Sequence, residues 1–379
     1  MESFYAAQTG KYTLNRLTNR FGAAALPRVQ VVDLKEELRS GNRSVFSNAL
    51  AEAIDQRLSD KKQVILLLNR RGYRTFLSCK ACGEVVTCPN CSISLTYHAA
   101  NHRMMCHYCG YSVPFSEECP SCHQPQVKFA GAGTQKAEEE LEELFPEARI
   151  LRMDTDTTMA KFSHEEKLEA FRKGEYDILI GTQMVAKGLN FENVTLVGVL
   201  SADQSLYGDD FRSYERSFSL LTQVVGRSGR GKEPGVAIIQ TTAPDHPIIQ
   251  LASEQDYDSF YREEIGLRKF RLCPPFSDIC VINFAGLRET AVQERSKHFM
   301  ELLTDSARKN YPALPLRINQ PVPAAICKVN QKYHYKIVMK CKNGKLFREM
   351  LSGVLRQYGA ERLSSEVTAF ADMNPDTIL

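Results

Sequence analysis

YDILIGTQMVAKGLNF, residues 176 to 191, is the stretch on which the fold turns: the largely apolar run Tyr176 to Ile180 passes without a break into a loop. A strand whose apolar residues are consecutive rather than alternate fits a parallel sheet covered on both faces. In such sheets ligands sit at the carboxyl ends of the strands, on the loops that follow. This loop is equipped for a phosphate. Gly181 permits a tight turn, Thr182 brings a hydroxyl, Lys187 a cation, and Gly188 close backbone approach.

The same grammar extends in both directions. Upstream lie the strand VQVVDL from Val29, an amphipathic helix from Ser47 to Leu58 and the buried-type run Gln63 to Leu68. Downstream come VKFAGAG, a helix from about Gln135 to Leu144, ARILRMD, a helix around Glu165 to Lys173, NVTLVGVL, a helix from Phe211 to Val225, and GVAIIQT. Alternating strands and helices predict an α/β domain over residues 26–78 and 124–270, interrupted by an insertion at 79–123. A second domain, 271–379, is expected to open at LCPPF, Leu272 to Phe276. Its order reads strand (Ile279 to Phe284), helix (Ala291 to Arg308), strands (Leu316 to Asn319, His334 to Lys340), helix (Leu346 to Gln357), strand (Val367 to Ala371). That is the split-βαβ, ferredoxin-like α+β arrangement. Residues 1–25 show little apolar periodicity and read as a linker.

At 379 residues the chain exceeds what one core usually serves, and 43% hydrophobic with 25% charged residues is the composition of a folded protein, not a disordered one. It opens on no basic-then-apolar leader, and no run reaches the roughly 18 apolar residues of a membrane span. A cytoplasmic protein without membrane contact is expected.

Eight of the twelve cysteines fall between residues 79 and 122 as four C-x-x-C pairs, while Cys273, Cys280, Cys327 and Cys341 are scattered. A C-x-x-C turn brings two thiolates to one ion, and zinc takes four in a tetrahedron, so four turns supply two structural sites. Reduced core cysteines, disulfides or an iron–sulfur cluster are the alternatives. Cys88, Cys91, Cys106 and Cys109 have the C-x2-C-x14-C-x2-C spacing of a zinc ribbon, leaving Cys79, Cys82, Cys119 and Cys122 for the other ion. This nested pairing is favoured over the sequential one. A closed four-sulfur site has no position for water and performs no hydrolysis. His98, His102, His107 and His123 are expected at the surface or facing DNA. The formal net charge is +3 with neutral cysteines; eight thiolates and two dications lower it to about −1, so any basic surface is local.

Two further loops stand out. TQVVGRSGR, Thr222 to Arg230, ends a helix with two arginines three apart, a spacing that converges on one anion. The plain reading is a helix-end charge pair favoured by the dipole. GAGT, Gly131 to Thr134, opens a helix whose free N–H groups suit a phosphate, although a strand-to-helix turn capped by Thr134 also explains it. Arg70 and Arg71 read equally as a solvated strand end or as a DNA or interdomain contact, and Asp154 and Asp156, which resemble a metal site, as helix caps.

Taken together, NRRGY (Asn69 to Tyr73), the eight-cysteine block, Gly-Ala-Gly-Thr, RMDTDTT (Arg152 to Thr158), GTQMVAKG, the Asp203 that follows VGVLSA, TQVVGRSGR and the late DMNP carry a resemblance. The sequence is similar, over essentially its whole length, to the carboxyl-terminal half of the PriA family of bacterial replication-restart helicases. The resemblance implies a RecA-like second lobe with a two-zinc insertion, and a last domain like a ribosomal-protein nucleic-acid fold. It implies an ATP-dependent 3′ to 5′ DNA helicase of superfamily 2 that recognises stalled forks and directs primosome assembly. Gly181, Thr182, Gln183, Lys187 and Gly188 then match motif V, which couples DNA to nucleotide. Gln223, Gly226, Arg227, Gly229 and Arg230 match motif VI, with Arg227 and Arg230 as arginine fingers and Asp203 positioning that network. Arg70, Arg71, Gly131, Gly133 and Thr134 become DNA contacts. Forked and single-stranded DNA, single-strand-binding protein and primosome loaders are the implied partners, at the nucleoid.

The sequence contains no G-x-x-x-x-G-K-[ST]: Gly10-Lys11, Gly231-Lys232 and Gly344-Lys345 are followed by Tyr, Glu and Leu. The acidic magnesium-holding motif is missing too. ATP and Mg2+ are therefore expected only together with a first lobe, and the chain alone is expected to be a fragment that hydrolyses no ATP. The competing expectation is a non-enzymatic zinc-dependent adaptor that binds nucleic acid on a degenerate motor scaffold.

Overall fold

The computed structural model describes residues 1–17, 26–68, 76–79, 86–91, 93–98, 102–106, 109–124, 127–130, 134–153, 163–182, 191–203, 206, 210–229, 233–361 and 366–378. It divides into two compact units, one of residues 13–75 and 131–264, the other of 1–12, 76–130 and 265–379.

The first of these is the α/β lobe. Six parallel strands lie in the order β1 (Arg28–Asp33), β11 (Val236–Thr241), β10 (Val194–Val199), β2 (Gln63–Leu67), β9 (Ile178–Gly181), β8 (Ile150–Met153). Continuous apolar strands occupy the centre: every residue of β2, β9 and β10 is buried. Burying each large apolar side chain there contributes about 1.5–3 kcal/mol. Helices α2 (Leu34–Arg39), α3 (Asn48–Ser59), α4 (Thr134–Leu144), α5 (Ser163–Arg172), α6 (Ser213–Val225) and α7 (Pro247–Glu254) accompany the strands, and α8 (Tyr257–Phe270) follows. Phe218 of α6 stacks on Phe260 of α8 at 4.2 Å. Ser47 caps α3 by accepting the Leu50 N–H, and its own N–H reaches the buried Gln240 amide at 2.7 Å. Gln240 also donates to the carbonyls of Val45 and Leu200, which ties the start of α3 to the ends of two strands. At Gly198 a Cβ would stand 2.7 Å from Leu66 and 3.0 Å from Leu50, so any larger residue would have to displace two fully buried leucines.

One strand is placed differently from the expectation. Val127–Ala130 (β7) does not join the parallel sheet; it pairs antiparallel with β3 (Phe76–Cys79). The chain entering the insertion and the chain leaving it satisfy each other's backbone groups, which gives the cysteine block a two-stranded stem. β4 (Thr96–His98), β5 (Arg103–Met105) and β6 (Ser112–Pro114) complete a five-stranded sheet in the order β6-β5-β4-β3-β7.

In the carboxyl-terminal domain β12 (Asp278–Gly286), α9 (Glu289–Asn310), β13 (Arg317–Ile318), β15 (Lys332–Cys341), α10 (Lys345–Ala360) and β16 (Val367–Met373) appear where strands and helices were expected. An unexpected strand, β14 (Val322–Val329), is added, and it shares the outer edge of β15 with β13. The sheet is antiparallel in the order β13-β15-β12-β16. Phe299 and Leu303 of α9 and Phe347, Met350 and Val354 of α10 bury one face of it against Ile282, Phe284, Ile337 and Met339. The first residues, expected as linker, form α1 (Glu2–Gln8); Tyr5 meets Phe276 edge-on at 5.1 Å, and Glu2 lies 3.6 Å from the buried Arg268. Among the described residues no helix is long and apolar enough to cross a membrane.

Candidate functional site

Two C-x-x-C turns bring four sulfurs together. In the first, Cys88-Pro-Asn-Cys91, the Asn90 N–H turns back to Cys88 Sγ at 3.4 Å, and Cys88 N–H bonds to the Ile93 carbonyl. The second, Cys106-His-Tyr-Cys109, closes through Gly110, whose φ of +74° lets its N–H reach the Cys106 carbonyl at 2.9 Å. The ligating sulfurs of Cys88, Cys91, Cys106 and Cys109 all lie within 4.8 Å of one another. Cys88 and Cys109 are 3.6 Å apart, against ~3.8 Å for the edge of a tetrahedron with zinc–sulfur bonds of ~2.3 Å. Val86, Leu95 and Met104 pack around them.

The electrostatics call for a cation. Burial pushes the Cys88 thiol up to about 12 and raises Cys91, whereas the Tyr111 N–H draws Cys109 down to about 7. Burial thus opposes charging Cys88 and Cys91, and a dication supplies the compensating charge. Four convergent sulfurs, the full tetrahedral set, fit structural zinc. Asn90 and Tyr111, whose N–H groups hold these sulfurs, were not singled out from the sequence, since a backbone donor leaves no residue-type signature.

Of the other expected set, Cys119 and Cys122 form a turn of the same design. The Ser121 N–H reaches Cys119 Sγ at 3.4 Å, and the His123 N–H reaches the Cys119 carbonyl at 2.9 Å. Cys82 and the side chain of Cys79 lie outside the described residues. His123 pairs with Glu118 at the surface.

In the α/β lobe, three adjacent strands, β10, β2 and β9, end at one edge of the sheet. Gly181 is the last residue of β9 and Thr182 follows it, its N–H 3.3 Å from the Met153 carbonyl. Gln183, Lys187 and Gly188 lie outside the described residues, as do Arg70, Arg71, Gly131, Gly133 and Arg230; Thr134 begins α4, with its side chain undescribed. Asp203, beyond β10, accepts from the Thr241 hydroxyl at 2.5 Å and the Thr242 N–H at 2.9 Å. Its carboxylate joins the carboxyl ends of β10 and β11. Those partners sit in a distant part of the sequence and carried no local signal.

The arginine motif is at the opposite edge. Gln223 is exposed and Arg227 half-buried, one turn apart along α6 and its continuation, where the Arg227 N–H bonds to the Val224 carbonyl. Gly226 caps the helix. Gly229 donates to the Val194 carbonyl at 3.2 Å, at the amino end of β10. A strand of this length spans about 20 Å, so the structure does not bring Gly229 and Asp203 together.

Three family models match in chain order: the PriA DNA helicase Cys-rich region domain over residues 88–114, the helicase conserved C-terminal domain over 125–232 and the primosomal protein N C-terminal domain over 271–376. Replication restart protein PriA of Bacillus subtilis (strain 168) is 42% identical over 99% of this chain and 46% of its own length. Its counterpart in Synechocystis sp. is 41% identical over 86% of this chain and 39% of its length. The chain thus spans about half the length, or less, of the curated relatives it matches. A solved structure of S. cerevisiae Dbp5 bound to RNA and ADP BeF3 is 14% identical, over 70% of this chain and 51% of that one. The TM-score of that match is 0.33.

Proposed function

Since this chain belongs to the PriA family of replication restart proteins, we propose that it is the carboxyl-terminal half of an ATP-dependent 3′ to 5′ DNA helicase. It would act at stalled forks and direct primosome assembly. One observation carries the reading: a six-stranded parallel lobe, whose central strands β10, β2 and β9 end in the candidate motif loops, is interrupted by a four-cysteine metal centre.

In this reading Arg227 and Arg230 supply cations to a phosphoryl group under transfer, and Gln223 lies on the same outward face of the helix. Gly226 and Gly229 shape the turn that presents the arginines. Gly181, Thr182, Gln183, Lys187 and Gly188 contact DNA and relay its presence to the nucleotide, and Asp203 braces that edge through Thr241. Arg70, Arg71, Gly131, Gly133 and Thr134 line the DNA path. The residues present do not fit ATP and Mg2+ by themselves, for want of a phosphate-binding loop and an acidic metal-holding motif. Nucleotide is therefore assigned to a companion lobe.

Both zincs are structural. The second, on Cys79, Cys82, Cys119 and Cys122, is supported by the matching turn at Cys119. The strand order β13-β15-β12-β16 with two helices on one face supports a ferredoxin-like reading of the last domain. Forked and single-stranded DNA, single-strand-binding protein and loader proteins complete the proposal, with a cytoplasmic, nucleoid-associated location.

The test is reconstitution with an ATP-binding lobe in one polypeptide. Fork unwinding is expected, and alanine at Arg227 and Arg230 should lower ATP turnover by about 10³-fold or more while DNA binding persists. Unwinding that survives both substitutions refutes the arginine assignment; a chain that binds DNA but never unwinds it supports the adaptor.

A further inference from the structure

Beyond the Cys-rich sheet, one piece of the carboxyl-terminal domain touches the metal centre. Strands β14 and β15 pair as far as Val329↔Lys332, which leaves Asn330 and Gln331 as a two-residue turn. Both are left-handed, with φ of +47° and +63°. Hairpin turns with positive φ at both central residues favour Asn followed by Gly, and Gln in the second place is conformationally costly. Nothing within the hairpin accounts for Gln331.

The Cys-rich turn accounts for it. The Asn330 N–H donates to Cys91 Sγ at 3.1 Å, and the Gln331 N–H donates to the Asn90 carbonyl at 2.7 Å. The Gln331 side-chain amide donates to Asn90 Oδ1 at 3.2 Å. Asn90 in turn gives its own N–H to Cys88 Sγ. Val329 packs on the apolar cluster that surrounds the sulfurs. The tip therefore reaches one sulfur directly and a second through Asn90.

We propose that the Asn330–Gln331 tip is a positioning element of the Cys88/Cys91/Cys106/Cys109 zinc site, so that ion retention and docking of the β14–β15 hairpin are linked. The proposal rests on the zinc reading of those cysteines. An N–H donated to a thiolate stabilises its charge and fixes its direction without occupying a metal position, and such outer partners tune metal affinity. Linkage is reciprocal: whatever factor the tip adds to ion binding, the ion adds to tip docking.

The experiment uses the whole chain loaded with zinc, and in parallel with cobalt. Asn330→Pro removes the donor to Cys91 and also forbids the φ of +47° that the tip requires, so it reads the turn as a whole; Gln331→Ala removes only the side-chain amide, and Lys332→Ala is the neighbouring exposed control. Expected is zinc release to a chelator about 10-fold faster for Asn330→Pro, a smaller acceleration for Gln331→Ala, and none for Lys332→Ala. Loss of the donor should also shift the sulfur-to-cobalt charge-transfer bands. In the unsubstituted chain, stripping the metal should speed hydrogen exchange at the Asn330 and Gln331 amides while β11 stays protected. That exchange measurement and Gln331→Ala decide the matter if the proline variant misfolds. Zinc-loaded chain with unchanged release, cobalt bands and exchange overturns this proposal alone; a chain that holds no zinc overturns the metal reading with it.

Discussion

Gly229 lies against Gly235 so closely that a Cβ on either would come within 2.4 Å of the other's backbone nitrogen. Gly229 also has φ of +69°, so a side chain is opposed there both by space and by conformation. The pair fixes the turn that the chain makes after Arg227. Gly229→Ala should lower stability by about 1–3 kcal/mol, read as an earlier denaturation midpoint of the α/β lobe. In a reconstituted motor it should also slow ATP turnover although both arginines remain; a variant as stable and as active as the parent would show that the turn does not serve the proposed arginine fingers.

Gly353 gives the opposite case. It is exposed in the middle of α10, with nothing within 4 Å of the position its Cβ would take. Gly353→Ala should raise stability by about 0.5–1 kcal/mol through helix propensity, measurable as a later midpoint for the carboxyl-terminal domain.

Arg149 grips Asp177 with Nε and Nη2 at 2.9 and 2.7 Å, and its backbone N–H adds a third bond. The Arg149 guanidinium holds the Asp177 carboxyl below the usual carboxylate range, against partial burial that works to raise it. A depressed folded-state value contributes stability that is present above the unfolded value, about 3.9, and is lost as pH falls through the folded one. Asp177→Asn should therefore cost about 1 kcal/mol at neutral pH. The gap from the parent should close below about pH 4, and a gap that persists in acid would show that the charge is not the source.

Metal analysis of the purified chain should find two zinc ions. Cys106→Ser should leave one, Cys122→Ser should leave the other, and the double variant none. Removing Cys106 should also destabilise the module, because its side chain is fully buried in the cluster with Val86, Leu95 and Met104. Two ions retained after Cys122→Ser would refute the outer cysteine set.

Much of the fold was legible where one physical cause dominates. β2 reads as QVILL because both of its faces are covered, and α3 announces itself through the Ser47 cap. The four gathered sulfurs followed from turn spacing alone. β7 was misassigned although its Val-Lys-Phe-Ala alternation is the period of an antiparallel strand rather than of a buried parallel one. β14 was missed because Pro323 argues against a central strand, whereas it pairs only along one edge of β15, where proline is tolerated. The Asn330–Gln331 turn lacks the glycine that flags a hairpin, since its second residue serves the neighbouring module instead. Asp203 could be noticed, but its pairing with Thr241 is a tertiary fact that no local pattern encodes.

The position of β1 has a consequence for how the chain emerges from a ribosome. β1 is the first strand of the α/β lobe to be synthesised, yet among the described residues its only sheet partner is β11, about 200 residues later. Until Val236 to Thr241 has been made, Arg28 to Asp33 is an unclaimed edge with backbone groups open to any other strand. Chains arrested between the end of β10 and residue 236 would thus expose both β1 and the flank of β10 that β11 normally fills, leaving two strand edges open to mispairing and to proteases.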